Sequence, residues 1–189
     1  LGRGARAGSG IHRASDCAGR KVGVPGLGAF LHVTFRGWLR SQGVDFKSVN
    51  FVEAAFPQHG DLLRGGSVDA VVSADPFMSR ITDGGNAYVA SYYATFLPEN
   101  QPTIVHAARR DWVAQNPEAT RGFREAVREG ASFMQQPGNG DAVRAAIGQY
   151  IKLPPEVLAK MQISAPGPVV NDKQLAYWVR LMKEQDMLK

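Results

Sequence analysis

From Arg20 to Tyr92 short β-rich runs alternate with helical segments, and few architectures accommodate that alternation. Arg20 to Val24 is followed by a turn at Pro25 to Gly28, after which Leu31, Phe35 and Trp38 recur at helical spacing while Arg36 and Arg40 fall off that face. Gly43 stops this helix and Ser48 to Val52 supplies the next strand. A second short helix around Asp61 to Arg64 ends at Gly65 and Gly66, and the near-continuous apolar run Val68 to Ser73 reads as a strand buried on both faces. Pro76 opens a third short helix, Gly84 and Gly85 close it, and Ala87 to Tyr92 forms a further strand. The order predicts an α/β lobe at residues 16–101, with a small parallel-rich sheet, right-handed crossovers and covering helices.

Residues 102–189 have a different pattern. One more strand is expected at Thr103 to Ala108, as an extended hinge, and beyond it only helices. Asn116 caps and Pro117 begins a helix carrying Phe123, Val127 and Met134 on one face. Asp141 to Ile151 and Pro154 to Met161 are two more, and Asn171 with Gln174 forms a capping-box-like start for a last one bearing Leu175, Trp178, Val179 and Met182. These apolar faces have no sheet of their own to cover, so burial against a second copy is expected and the chain is read as a homo-oligomer. At the other end, residues 1–15, opening Leu-Gly-Arg-Gly-Ala-Arg-Ala-Gly-Ser-Gly, read as a flexible segment.

Composition narrows the function classes. A hydrophobic content of 44% fits a globular core, and the net charge of +5 comes from scattered arginines without the dense basic run a nucleic-acid partner requires. Cys17, the single cysteine, excludes an internal disulfide and a cysteine-based metal site. His12, His32, His59 and His106 show no metal-ligand spacing, and neither a metal nor a cofactor is expected. No apolar stretch approaches the roughly 20 residues of a membrane span, and Leu1 to Gly10 lacks the apolar core of a secretory signal. With no nucleophile elbow, phosphate-binding lysine loop or zinc-peptidase pattern, the chain offers no catalytic set and is read as a non-enzyme.

Four ordered segments carry a family resemblance. Asp16-Cys17-Ala18-Gly19-Arg20-Lys21-Val22 resembles the Asp-Leu-x-Gly-Lys-Lys-Val opening of the second lobe in solute-binding proteins of nitrate, sulfonate, taurine and thiamine-precursor ABC importers, with Cys17 in place of the usual leucine. Leu62 to Val72 is similar to that family's element of leucine, small residue, glycine and Val-Asp-Ala. Ser73-Ala74-Asp75-Pro76-Phe77 is similar to its acidic-Pro-Phe ending, and Trp112 to Pro117 to the return to the first lobe. The resemblance implies a type II periplasmic-binding-protein-like lobe, a small-molecule ligand, ABC permease subunits as partners, and a periplasmic or cell-envelope location. It also implies a βαβ-rich first-lobe segment upstream of residue 1, so the chain is expected to be truncated, with the helices after Arg109 a remnant of that lobe. An effector-binding module of a regulator and an enzyme of thiamine-precursor synthesis share the fold and stand as alternatives.

The candidate ligand contacts fall in two clusters. Gly26, Gly28, Ala29 and Phe30 end a strand and open a helix, where backbone N–H groups hold an anionic or carbonyl group; the bland reading is a tight turn. As a dinucleotide loop the segment lacks the third glycine, since Leu31 stands there, although Glu53 comes after the next strand. His32 lies in the first turn after the loop. Ser73, Asp75 and Phe77 come after a buried strand at the edge where open α/β sheets bind ligands; Asp75 suits an ammonium group or merely caps the helix opened by Pro76.

Overall fold

The computed structural model describes residues 1–99, 101–151, 154–161, 163, 167 and 170–188. The chain divides into two units, one of Leu1–Gln101 with Ala176–Lys189 and one of Pro102–Leu175. Strands β1 (Gly2–Arg6), β2 (Lys21–Val24), β3 (Asn50–Glu53), β4 (Ala70–Ser73) and β5 (Ala87–Ser91) lie in the first unit. So do helices α1 (Phe30–Ser41), α2 (His59–Arg64) and α3 (Phe77–Asp83). Helices α4 (Arg110–Gln115), α5 (Pro117–Gln135), α6 (Gly140–Tyr150) and α7 (Pro155–Lys160) lie in the second, and α8 (Asp172–Lys183) begins in the second and ends in the first. Among the described residues no helix is long and apolar enough to cross a membrane.

The sheet has the order β3-β2-β4-β1-β5. Strand β2 runs parallel to β3 and β4, while β1 is antiparallel to both β4 and β5. Four strands therefore point one way and β1 opposes them, which bears out the parallel-rich α/β expectation. All four residues of β4 are buried. Ala70 and Val72 join Val22, Val24, Phe35, Leu39 and Tyr93 in one apolar cluster, whereas Val71 joins Leu63, Val68 and Ile81 in the other. Alternation along β4 sends successive side chains to opposite faces, so α1 covers one face and α2 with α3 the other. Fully burying a side chain such as Phe35 is worth about 2 to 3 kcal/mol. Helix α1 stops at Gly43, whose φ of 74° is left-handed, with Gly43 N–H bonded to Arg40 O and Val44 N–H to Leu39 O. That pair of bonds is the Schellman arrangement.

Residues 1–15 differ from the flexible segment expected of them. Gly2–Arg6 is an inner strand, its first four residues buried. A Cβ on Gly4 would lie 3.2 Å from Met78 Sδ, so the glycine lets α3 sit close on the strand. On the opposite face Arg3 is fully buried; it donates to Arg13 O at 3.1 Å, Cys17 Sγ at 2.8 Å and His12 O at 3.3 Å, and lies over the Trp38 ring. Pairing on both sides outweighs the low strand propensity of Gly-Arg-Gly-Ala-Arg.

The C-terminal end is likewise not part of a separate helical remnant. Leu181 and Gln185 are buried in the first unit, and Gln185 Nε2 donates to Val33 O at 2.9 Å. Arg36 and Arg40 of α1 donate to the carbonyls of Gln185 and Glu184, capping the end of α8 with cations.

Within the second unit α5 buries only Ala131 among the described residues, and Phe123 is 53% exposed. Val143 is buried where α6 meets α7, and a Cβ on Gly148 would come within 3.0 Å of Leu158. Thr103–Ala108 is not a strand: it pairs with no strand among the described residues, and Ile104 is 86% exposed. Asn116 precedes α5 but its side chain donates back to Trp112 O rather than capping. Asn171 and Gln174 do form the expected capping box, exchanging bonds of 3.0 and 2.9 Å.

Candidate functional site

The sheet order places two strand ends where the connections diverge. The chain passes from β2 to its neighbour β3 through α1, then from β3 to β4, on the other side of β2, through α2. Those helices pack on opposite faces, α1 with the cluster containing Val72 and α2 with that containing Val71. Such a reversal falls at the carboxyl ends of β2 and β4, the edge where open α/β sheets bind ligands. Parallel pairing of Gly23 with Val71 brings the segments after both strands to this one edge. Gly26, Gly28, Ala29 and Phe30 lie beyond β2, and Asp75 and Phe77 beyond β4.

The loop after β2 is held by the chain itself. Gly28 has a φ of 81°, a conformation that favours glycine, and a Cβ there would touch Met187 Cε at 3.4 Å. Leu27 N–H donates to Glu53 Oε2 at 2.9 Å, Gly28 N–H to His32 Nδ1 at 2.9 Å, and Ala29 N–H to Gly26 O at 3.2 Å. Helix α1 has no side-chain cap on Ala29 and no acidic residue in its first turn, leaving its leading N–H groups to an outside acceptor.

His32 lies behind the loop rather than in the open. It is buried, with its ring edge-on to Phe51 at 4.5 Å, and accepting at Nδ1 puts its single proton on Nε2. Burial, reinforced by the Arg36 charge, holds its pKa down at about 4, so the ring is neutral at pH 7. Glu53 is the loop contact that sequence reasoning missed as such; its register opposite Val24 carries it to the loop.

On the β4 side Asp75 is exposed and accepts from Ser79 N at 3.2 Å and Ser79 Oγ at 2.7 Å, which ties it to the first turn of α3. Ser73 is fully buried and its Oγ has no hydrogen-bond partner among the described residues. Two-residue alternation puts it on the Val71 face, towards α3. Phe77 stacks on Phe56 with centroids 5.1 Å apart and planes 9° from parallel, and Phe30 meets Trp178 edge-on at 5.4 Å. Below the first pair a groove of about 190 Å³ runs between α2 and α3, lined by Phe56, Gly60, Arg64, Phe77, Arg80 and Asn86. His59 is buried beside Phe56, its Nε2 bonded to Ala54 O at 2.9 Å, and burial lowers its pKa. Cys17 is buried against Arg3, and burial raises its thiol pKa.

Comparison with known proteins agrees with this architecture. The nitrate/nitrite binding protein NrtA of Synechococcus elongatus is 29% identical over 125 residues, 64% of this chain and 27% of that protein. The periplasmic aliphatic sulphonate binding protein SsuA of Escherichia coli superposes with a TM-score of 0.76 at 20% identity, over 99% of this chain and 64% of that one. The desulfurization enzyme DSZB shares the fold with a TM-score of 0.63 at 14% identity, over 99% of this chain and 70% of that one. This chain thus spans about a quarter of the curated relative and less than two thirds of the sulphonate binder. The sequence pattern of the NMT1-like family matches residues 5–148.

Proposed function

We propose that this chain, which belongs to the NMT1-like family, is a solute-binding component of an ABC-type importer that takes a small polar organic solute at the carboxyl edge of β2 and β4. The observation that carries the reading is the reversal of strand order between β2 and β4, with an uncapped α1 and a glycine turn after one strand and Asp75 after the other. Gly26, Gly28, Ala29, Phe30, Asp75 and Phe77 are the contacts we assign. His32 acts through the loop it holds, and Ser73 lies beneath the edge rather than in it. A periplasmic or cell-envelope location and ABC permease partners accompany this reading, because the sulphonate binder is periplasmic by name.

The fold of a desulfurization enzyme is the same, so an enzymatic reading needs its own chemistry. The single thiol, Cys17, lies in the core against Arg3, out of reach of the strand edge. That placement favours binding without turnover. Titrating ¹⁵N-labelled protein with a panel of small solutes tests the reading: shifts confined to the amides of Gly26–Phe30 and Asp75–Phe77 are expected. Shifts confined to the α2–α3 groove would move the site, and product formation from any panel member would overturn the non-catalytic assignment.

The exposed Phe123, Phe133 and Tyr150 of the second unit support self-association. Sedimentation velocity is expected to show a concentration-dependent dimer; a monomer at every concentration would refute it.

A further inference from the structure

We infer that His32 is the positioning residue of the glycine loop and that a proton on its Nδ1 releases the loop, so that a solute is held while the ring is neutral and let go in acid. This rests on the solute-binding reading and names the regulation of that same site.

The latch is one hydrogen bond whose direction is fixed. Gly28 N–H donates to His32 Nδ1 at 2.9 Å, so Nδ1 offers its lone pair and the ring proton sits on Nε2. A second proton has only Nδ1 to go to. There it replaces the lone pair by an N–H that faces the N–H of Gly28, two donors with nitrogens 2.9 Å apart, and the bond is lost. Either the ring or the loop must then move.

The ring is the part that is held. His32 is buried in α1 together with Val33, Thr34 and Phe35, and its ring stands edge-on to Phe51 with centroids 4.5 Å apart. The loop faces water: Leu27 and Ala29 are exposed and Gly28 is half-buried. Gly28 carries no side chain to anchor it, and once released its N–H bonds to water at no net loss of a partner. The loop is therefore the element that gives way.

The charges around the ring favour its neutral form. Arg36, one turn further along α1, is the charge that bears on it, and burial with that charge holds the His32 pKa at about 4. Glu53 reaches the loop from β3 through Leu27 N–H, and Asp186, beyond α8, bears on Arg36 rather than on the ring. Nε2 is buried without a partner among the described residues, so no acceptor there stabilises an imidazolium. Released into water the ring takes its proton near pH 6.5. Linkage then favours the released loop about 20-fold more at pH 5 than at pH 7.

Amide exchange and side-chain ¹⁵N spectra of the free protein test the latch without any solute. The His32 ring is expected to show the Nε2–H tautomer at pH 7. Protection of the Gly28 amide, corrected for intrinsic exchange, is expected to fall about 20-fold at pH 5 and to stay below that of the β4 amides at both pH values. His32→Asn places an amide oxygen near the position of Nδ1 and should keep Gly28 protected and indifferent to pH. His32→Phe keeps a ring against Phe51 without an acceptor and should leave Gly28 unprotected throughout. Glu53→Gln takes the other titrating side chain off the loop, keeps an acceptor for Leu27, and should leave the fall in place. An Nδ1–H tautomer, Gly28 protection that is flat between pH 7 and pH 5, a fall that Glu53→Gln abolishes, or exchange of Gly28 only at the rate of the β4 amides overturns the latch. Each of these outcomes is read without a solute, so the solute-binding reading stands or falls separately, on the panel titration.

Discussion

Helix α1 buries six of its twelve residues, whereas α5, nineteen residues long, buries Ala131 alone among the described residues. Both sequences carry an apolar stripe at helical spacing. The difference lies in what sits beneath the stripe: α1 lies on β2 and β4 and shares an apolar cluster with them, while Phe123 and Phe133 of α5 stay close to half exposed. Periodicity fixes which face of a helix seeks cover, and the sheet decides whether cover is found. The first unit accordingly has two closed apolar clusters, and the second has helix pairs with small contacts such as that of α6 and α7.

The contrast breaks most directly on paired truncations. Phe35→Ala is expected to cost about 3 to 5 kcal/mol, from lost transfer energy and the cavity left behind. Phe123→Ala is expected to cost less than about 1 kcal/mol. Urea unfolding followed by tryptophan fluorescence measures both, and equal costs would mean that the α5 stripe is covered after all.

Protonation probes the first unit alone. His32 titrates at about 4 in the fold and near 6.5 when unfolded, so between those values the unfolded chain binds more protons. Its contribution is fully present above pH 6.5 and is lost as pH falls towards 4, up to about 3 kcal/mol. His59, also lowered by burial, adds in the same direction. Stability measured from pH 8 to pH 4 should fall through this window, and His32→Gln should flatten the slope; an unchanged slope would refute the assignment.

A smaller effect probes how the end of α8 is anchored within the first unit. Arg36→Met removes the bond to Gln185 O and the contact with the Phe46 ring, at an expected cost of about 1 to 2 kcal/mol. Hydrogen exchange should then speed up at residues 184–187 before it does in the sheet. Smallest of all, Phe133→Ser should change stability by less than about 0.5 kcal/mol yet reduce self-association in sedimentation.

Legibility from sequence divides along the same line. The run Val68 to Ser73 announced a strand buried on both faces because its apolar content leaves no face for water, and β4 is that strand. The glycine loop was legible because Gly28 stands where the backbone turns left-handed between a strand and a helix. Gly2–Arg6 was not legible, since its residues neither favour extended structure nor look apolar; neighbours 60 to 90 residues away in sequence impose the strand. Glu53 was visible as an acid after a strand, but its bond to Leu27 depends on register, which composition does not encode. Likewise α8 showed a stripe and a capping box without showing that Arg36 and Arg40 would hold its end.

The antiparallel entry of β1 has a mechanical consequence. Gly2 pairs with Ser73 and Arg3 with Ser91, so the start of β1 and the end of β5 lie side by side at the edge that carries the glycine loop. Tension applied between Leu1 and Tyr92 therefore loads the β1–β5 ladder at one end and opens it one rung at a time, as a zipper yields. Tension between Leu1 and Asp69, at the far end of β4, loads the β1–β4 pairs together in shear. Attachment points alone should make the same sheet soft in the first direction and resistant in the second, and a solute bridging the strand ends at the loop edge would stiffen the soft one.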